Sequence, residues 1–139
     1  MGRIVRRVAD KSLDAIHHAD RALSGDRSYW YVATPYSRYA DGLEAACAAA
    51  CRVTAALIRE RLPVFSPIAH SHSISLIGDL DPLSHEIWLA ADAPLMAAAH
   101  GLIVVELPGW DESVGIAHEI EAFEAEGKPV VHLDPEEIA

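Results

Sequence analysis

Gly101-Leu102-Ile103-Val104-Val105, followed after a short loop by Ser113-Val114-Gly115-Ile116-Ala117-His118-Glu119, is the stretch that decides the fold. Five apolar residues in a row describe a strand buried on both faces. The second segment opens a helix with Ser113 at its start and a glutamate about one and a half turns in. Free N–H groups at such a start attract an anion. A carboxylate just above that point is placed to attack whatever the anion anchors.

Working outward, the same alternation of strand and helix repeats. Tyr29-Trp30-Tyr31-Val32-Ala33 is aromatic and β-branched and predicts a strand, with Thr34-Pro35-Tyr36-Ser37 as the turn after it. Residues 41 to 62 predict a helix with Leu43, Ala46, Ala50, Val53 and Leu57 on one stripe. Pro63 to Pro67 predicts a short second strand, and 68 to 81 a long polar loop containing His70-Ser71-His72-Ser73. A helix follows from about Leu83 to Ala99, then the strand at 102 to 106. The helix over 114 to 126 ends at Gly127, and Pro129 to Leu133 predicts a fourth strand. The expected fold is α/β, a three-layer Rossmann-like (flavodoxin-like) arrangement with a four- to five-stranded, mainly parallel sheet. Ligands in such sheets bind beyond the carboxyl ends of the strands. The turn after the first strand, the His70 loop and the Pro108-to-Ser113 loop all fall at that edge.

Residues 1–27 read as an N-terminal helical extension and 28–139 as the domain. Leu13, Ile16 and Leu23 are at helical spacing, Ser12 is the expected N-cap, and Ser24-Gly25-Asp26 the expected stop. This helix is expected to pack on the domain or on a second subunit.

At 139 residues and 51% hydrophobic content, the chain supports one domain with one core. A formal charge of −10 argues against a nucleic acid polymer as partner, which requires a basic footprint. It leaves room for a small phosphorylated ligand, because backbone N–H groups hold phosphate without net positive charge. No apolar run reaches the length of a membrane span, so no membrane partner is expected. Arg3, Arg6 and Arg7 precede no apolar h-region, and a cytoplasmic location is expected. Cys47 and Cys51 lie four apart in an Ala-rich helical stretch, a poor geometry for a disulfide, and read as small reduced core residues.

Several residues carry candidate chemistry. Ile116, Ile120 and Phe123 define the buried stripe of the 114–126 helix, and Glu119 lies about 60° to one side of it. Gly115 is one turn below and leaves room for a ligand. Ser113 reads equally as an N-cap or as a phosphate contact, since both use the same free N–H groups. Asp92, just before Pro94, reads as a solvated residue or as a hydrogen-bond partner for a leaving base. Tyr36, Ser37 and Arg38 follow the first strand, and Arg38 is the cation of these loops. His70, His72 and His85 read as pocket or surface residues. His70-x-His72 can place two imidazoles together on an extended chain, but no third strong ligand stands at a recognisable zinc spacing, so no metal is expected.

Taken together, these segments resemble the nucleoside 2-deoxyribosyltransferase superfamily and its 2′-deoxynucleoside 5′-monophosphate N-glycosidase branch, within an uncharacterised bacterial and phage subgroup. The likeness runs from about Tyr29 to His132. Tyr31-Val32-Ala33-Thr34-Pro35-Tyr36-Ser37 is similar to the family's opening strand and turn, and Gly127-Lys128-Pro129-Val130-Val131 to its closing segment. Ser113-x-Gly115-x-x-x-Glu119 resembles its signature, whose last glutamate is the nucleophile. Asp92 resembles its aspartate near the base. The subgroup shares the segments Ala33–Ser37, Ser66–His72 and Leu107–Trp110. A serine at position 113 is similar to the nucleotide-cleaving branch. The chain departs from the pattern at Glu121, where a glycine is usual, at the inserted Pro108-Gly109-Trp110-Asp111, and at Thr34-Pro35, where the monophosphate enzymes have glycines.

The resemblance implies cleavage of an N-glycosidic bond in a nucleoside or nucleoside 5′-monophosphate, with Glu119 as nucleophile, a covalent glycosyl intermediate and Asp92 assisting the leaving base. Water as acceptor makes a hydrolase; a second base makes a transferase. It implies substrate contacts from Tyr36, Ser37, Arg38, His70, His72, Trp110, Ser113 and Gly115, no cofactor, and a homodimer or homotetramer. Three other readings remain: a nucleotide sensor without turnover, an interaction or assembly protein with the Ala-rich and N-terminal helices as interfaces, and cleavage of NAD at its nicotinamide bond.

Overall fold

The computed structural model describes residues 2–23 and 28–138, with backbone only for residues 2–11. The elements run α1 (Gly2–Ala22), β1 (Trp30–Ala33), α2 (Leu43–Arg59), β2 (Val64–Phe65), α3 (Pro67–Ile77), α4 (His85–Ala98), β3 (Gly101–Val105), α5 (Val114–Ala125) and β4 (Val130–Leu133). Short 3-10 turns cover Trp110–Glu112 and Pro135–Ile138. The four strands form one sheet in the order β2-β1-β3-β4, every pair parallel. This is a three-layer Rossmann-like fold, and its order matches the flavodoxin-like pattern up to the fourth strand.

Period-2 alternation divides the core between the two faces of the sheet. On one face Trp30, Val32, Ile103, Val105 and Leu133 pack with Ile16 of α1 and with Val53 and Leu57 of α2. On the other, Tyr31, Ala33, Leu102 and Val104 pack with Ile116 and Phe123 of α5 and with Ala99. β1 and β3 are buried throughout because helices cover both of their faces, which is why the sequence reads there as an unbroken apolar run.

α1 packs on this core. Ile16 is fully buried, and the Trp30 indole Nε1 donates to Asp20 at 3.2 Å. The expected cap at Ser12 is corrected: the helix already begins at Gly2, so Ser12 lies within it and its hydroxyl donates to Glu137 of the C-terminal turn. The helix ends at Ala22, and the expected stop at Ser24-Gly25-Asp26 lies outside the described residues. Cys47 and Cys51 are free, as expected, but Cys51 is exposed rather than in the core, because the Ala49–Val53 stripe faces the sheet instead.

The expected polar loop at 68 to 81 is also corrected. α3 occupies most of it, and the second strand shrinks to two residues. Ser66 caps α3, its hydroxyl accepting from Ala69 N–H at 3.1 Å, and Pro67 takes the first helical position. That Ser-Pro pair is a helix start. The serines and histidines that follow disguise the helix, although His72 and Ser75 are buried three apart, as a helix face requires.

α5 ends as its sequence predicts. Gly127 has φ +70, Lys128 N–H donates to Phe123 C=O at 3.0 Å and Gly127 N–H to Glu124 C=O at 3.0 Å, a Schellman closure. At Gly101 the constraint is space: a Cβ there would lie 2.4 Å from the buried Trp30 ring. Gly101→Ala is therefore expected to destabilise the protein by about 1–3 kcal/mol through overpacking, measured as a lowered urea midpoint.

Candidate active site

In a 2-1-3-4 sheet the chain leaves β1 toward β2 on one side and β3 lies on the other. The carboxyl ends of β1 and β3 therefore open a crevice at the topological switch point. A cavity of about 600 Å³ lies there. Its wall is built from the turn after β1, from α3, from the 82–96 segment containing most of α4, and from the first turns of α5.

Glu119 projects into this cavity from α5, one turn above Gly115, as the helical spacing predicts. It is half-buried. Burial, reinforced by the charge of Asp92, pushes its carboxyl up to about 8. Asp92 reaches the same cavity from mid-α4. Burial raises its carboxyl as well, and nearby His70 partly offsets the shift. Two carboxyl groups in one low-dielectric cavity do not both ionise readily, so the pair holds a proton near neutral pH.

Tyr31, a residue that strand propensity alone marks only as core, shares the cavity and feels the charge of both carboxyl groups. Tyr31 is fully buried, lines the cavity, and its hydroxyl finds no hydrogen-bond partner in the protein. Burial and then the charges of Glu119 and Asp92 keep the phenol protonated. It is a fixed donor beside the carboxyl pair. Thr34 at the end of β1 is a second buried hydroxyl without a partner on the same wall. The alternation of β1 carries the signal for Tyr31: it shares a face with Ala33, under α5.

Ser113 caps α5, its hydroxyl accepting from Ile116 N–H at 3.2 Å. That leaves the first N–H groups of the helix, at Val114 and Gly115, turned toward the cavity mouth. Gly115 is not required by packing: a Cβ there would meet only Ser113 Oγ, at 3.8 Å.

Of the residues expected from sequence, Glu119, Asp92, Tyr36, Ser37, Ser113 and Gly115 line the cavity together. Four do not. Arg38 is exposed because Tyr39 N–H bonds Tyr36 C=O at 3.1 Å and closes a turn that carries Arg38 outward. His72 is buried under the wall; its Nδ1 pairs with the Tyr36 hydroxyl at 2.7 Å, so it orients Tyr36 from behind. His70 is exposed on α3, its ring 5.4 Å from that of Phe65. Trp110 packs on the core beneath α5, its ring 5.2 Å from His132, because Gly109 at φ +89 folds the inserted loop back toward β4. His85, read from sequence with His70 and His72 as a pocket or surface residue, does stand in the wall, whereas Ser71, Trp88 and His118 stand there without having been singled out. They lie on helical faces whose direction is set only by how α3, α4 and α5 pack.

α4 is held by Leu95 and Met96, which pack against the core, and by its polar ends. No residue of it is buried. Ser84 caps its start, accepting from Ile87 N–H at 3.3 Å. At its end Tyr29 donates to Leu95 C=O at 2.5 Å, and Lys128 Nζ donates to Met96 C=O at 3.2 Å and Ala97 C=O at 2.7 Å. A cation at a helix C-terminus satisfies its free carbonyls and its dipole. These bonds set the depth at which Asp92 stands.

An α/β domain with a carboxylate pair at its sheet switch point is the class that fold and site define. The chain belongs to the family described as a domain of unknown function, DUF1937, whose profile matches residues 28–134. No curated protein matches it. Among the described residues no helix is long and apolar enough to cross a membrane.

The raised carboxyl of Glu119 has a consequence for stability. Its value when folded, about 8, lies above the ordinary 4.5, so the folded state binds a proton more tightly than the unfolded chain. Stability is therefore full below about pH 4.5 and is lost as pH rises toward about 8. Glu119→Gln is expected to raise Tm by several degrees at about pH 8 and to change it little at about pH 4, on the order of 2 kcal/mol at the high-pH end. Calorimetric scans of both proteins across that range check this.

Proposed function

We propose that this protein cleaves the N-glycosidic bond of a nucleoside or nucleoside 5′-monophosphate through a glycosyl ester on Glu119. The observation that carries the reading is the meeting of Glu119, Asp92 and the unpartnered Tyr31 hydroxyl in one cavity at the sheet switch point. In this mechanism the Glu119 carboxylate attacks the anomeric carbon on the face opposite the base. Burial favours the shared proton on Glu119; the reactive form is the tautomer that carries it on Asp92, which donates it to the base as the C–N bond breaks. Tyr31 donates to an oxygen of the sugar or to the attacking carboxylate. Water then opens the ester, and two displacements retain the anomeric configuration. Interception by a second base would give transfer instead of hydrolysis.

The wall favours an uncharged 5′ end. None of the described residues that line the cavity is Lys or Arg, and Arg38 faces away. A phosphate would find the α5 N-terminus, wall hydroxyls and two histidines, but no Lys or Arg among the described lining residues, against two carboxyl groups.

A panel of ribo- and deoxynucleosides and their 5′-monophosphates, with released base quantified by chromatography, tests this. Base release is expected, with kcat lowered about a thousandfold or more in Glu119→Ala. For a neutral base the productive pair carries one proton, so kcat/KM is expected to fall as pH rises through about 8. Release that survives in Glu119→Ala would remove the mechanism.

The same reading includes a homo-oligomer. Seven of the large exposed hydrophobic side chains lie between Ile74 and Leu89, Ile77 at 88% exposure, along segments that also wall the cavity. Together they expose on the order of 600 Å² of apolar surface, the upper end of the largest patch on an ordinary monomer and most of the roughly 800 Å² that each partner contributes to a standard interface. A second copy of the chain is the proposed occupant. Sedimentation is expected to give a dimer or tetramer for the wild type and a monomer for Ile77→Lys; a monomeric wild type would remove the oligomer.

A further inference from the structure

The side chains around the cavity are matched to one kind of leaving base. The charged groups of its wall are Asp92 and Glu119, with His85 and His118 at its exposed rim and no Lys or Arg among the described lining residues. The chain contains no asparagine and no glutamine at all. Amides are the side chains that read the hydrogen-bonding edge of a neutral purine bidentately. The α3 and α4 sides of the cavity instead offer ring and aliphatic faces: Ile68, Leu83, Trp88, Leu89 and Met96. The Trp88 indole Nε1 already donates to Asp81 C=O at 2.8 Å, which pins the ring and spends its polar edge. Independently, the fully buried Tyr31 hydroxyl lacks a protein partner and borders the cavity, which marks the place of a ligand oxygen beside the carboxyl pair.

We infer that the cavity takes N-glycosides whose base is a flat, permanently cationic heteroaromatic ring, a quaternised pyridine or purine, held by faces and by the carboxyl pair. The inference rests on the N-glycosidase reading and names its substrate class. An aromatic face and a desolvated carboxylate both attract such a ring, and each does so more strongly out of water. Positive charge beside Glu119 favours its ionised form, so this substrate prepares its own nucleophile, whereas a phosphate would oppose it. The chemistry balances without an acid. A Glu119 carboxylate oxygen bonds to the anomeric carbon, the C–N bond breaks, and its electron pair neutralises the ring nitrogen. The neutral base leaves unprotonated. Water then cleaves the ester, giving the free sugar, the carboxylate and one proton.

Binding of 1-methylnicotinamide, which has no glycosidic bond, against its uncharged counterpart nicotinamide separates charge from shape. By titration calorimetry at about pH 8.5 the cation is expected to bind about tenfold tighter or more. That advantage is expected to shrink at about pH 5.5, as Glu119 takes up a proton beside Asp92, Tyr31, His70, His85 and His118, and to shrink likewise in Asp92→Asn. Equal binding of the two compounds, no binding of the cation at millimolar concentration, or an advantage unchanged at low pH would overturn the inference. Base release from guanosine and 7-methylguanosine then distinguishes the two readings. Glu119-dependent release from the neutral nucleoside with no cation preference in binding leaves the glycosidase and removes the inference. Tight cation binding with no release from either keeps the cation site and removes the glycosidase.

Discussion

The close approach of Trp30 to Gly101 is the constraint on which the rest of this structure depends. These residues face each other across the β1–β3 pairing. The Trp30 ring lies where any Cβ at position 101 would be. Its indole N–H holds Asp20 and with it α1, and its edge meets His100 at 4.7 Å. The contact thus locks the register of the two central strands and ties the N-terminal helix to them. Register carries the site, because it fixes the relative height of Thr34 at the end of β1 and of the loop that delivers Ser113. A slip of one residue would turn Tyr31 away from α5 and toward α2.

Above that frame the cavity runs against the ordinary rules of burial. Two carboxyl groups, a tyrosine hydroxyl and a threonine hydroxyl share a space with no Lys or Arg, and no partner for either hydroxyl, among the described residues. Buried polar groups are normally satisfied. Leaving these four poorly compensated costs stability, and such costs cluster where a ligand is to be bound or transformed. The surrounding packing is conventional: both faces of the sheet are filled by aliphatic and aromatic side chains in period-2 order.

α4 shows how a helix can position a reactive group with little burial. Its apolar composition suggests a core helix, yet it lies on the surface, held by the Ser84 cap and by donors from Tyr29 and Lys128 on its last carbonyls. Lys128 also lies over the Phe123 ring at 5.4 Å, so the α5–β4 turn and the end of α4 move as one. The depth of Asp92 relative to Glu119 is set through that link.

The sequence by itself determined the layering. Apolar runs at β1 and β3, helical stripes between them and Gly127 after α5 specify a parallel α/β sheet, because period and punctuation are local properties of the chain. Glu119, Gly115 and Ser113 were legible for the same reason, being spaced along one helix. The extent of α3 was not, since its Ser-Pro start is followed by residues that resemble a polar loop. Tertiary structure alone decided that Asp92 shares a cavity with Glu119, that Tyr31 brings an unpartnered hydroxyl to it, that His72 pairs with Tyr36, and that Arg38 and Trp110 are not among its lining residues. Each of these depends on how separate elements pack across the sheet, and a distance between residues far apart in the chain is written in no single segment of it.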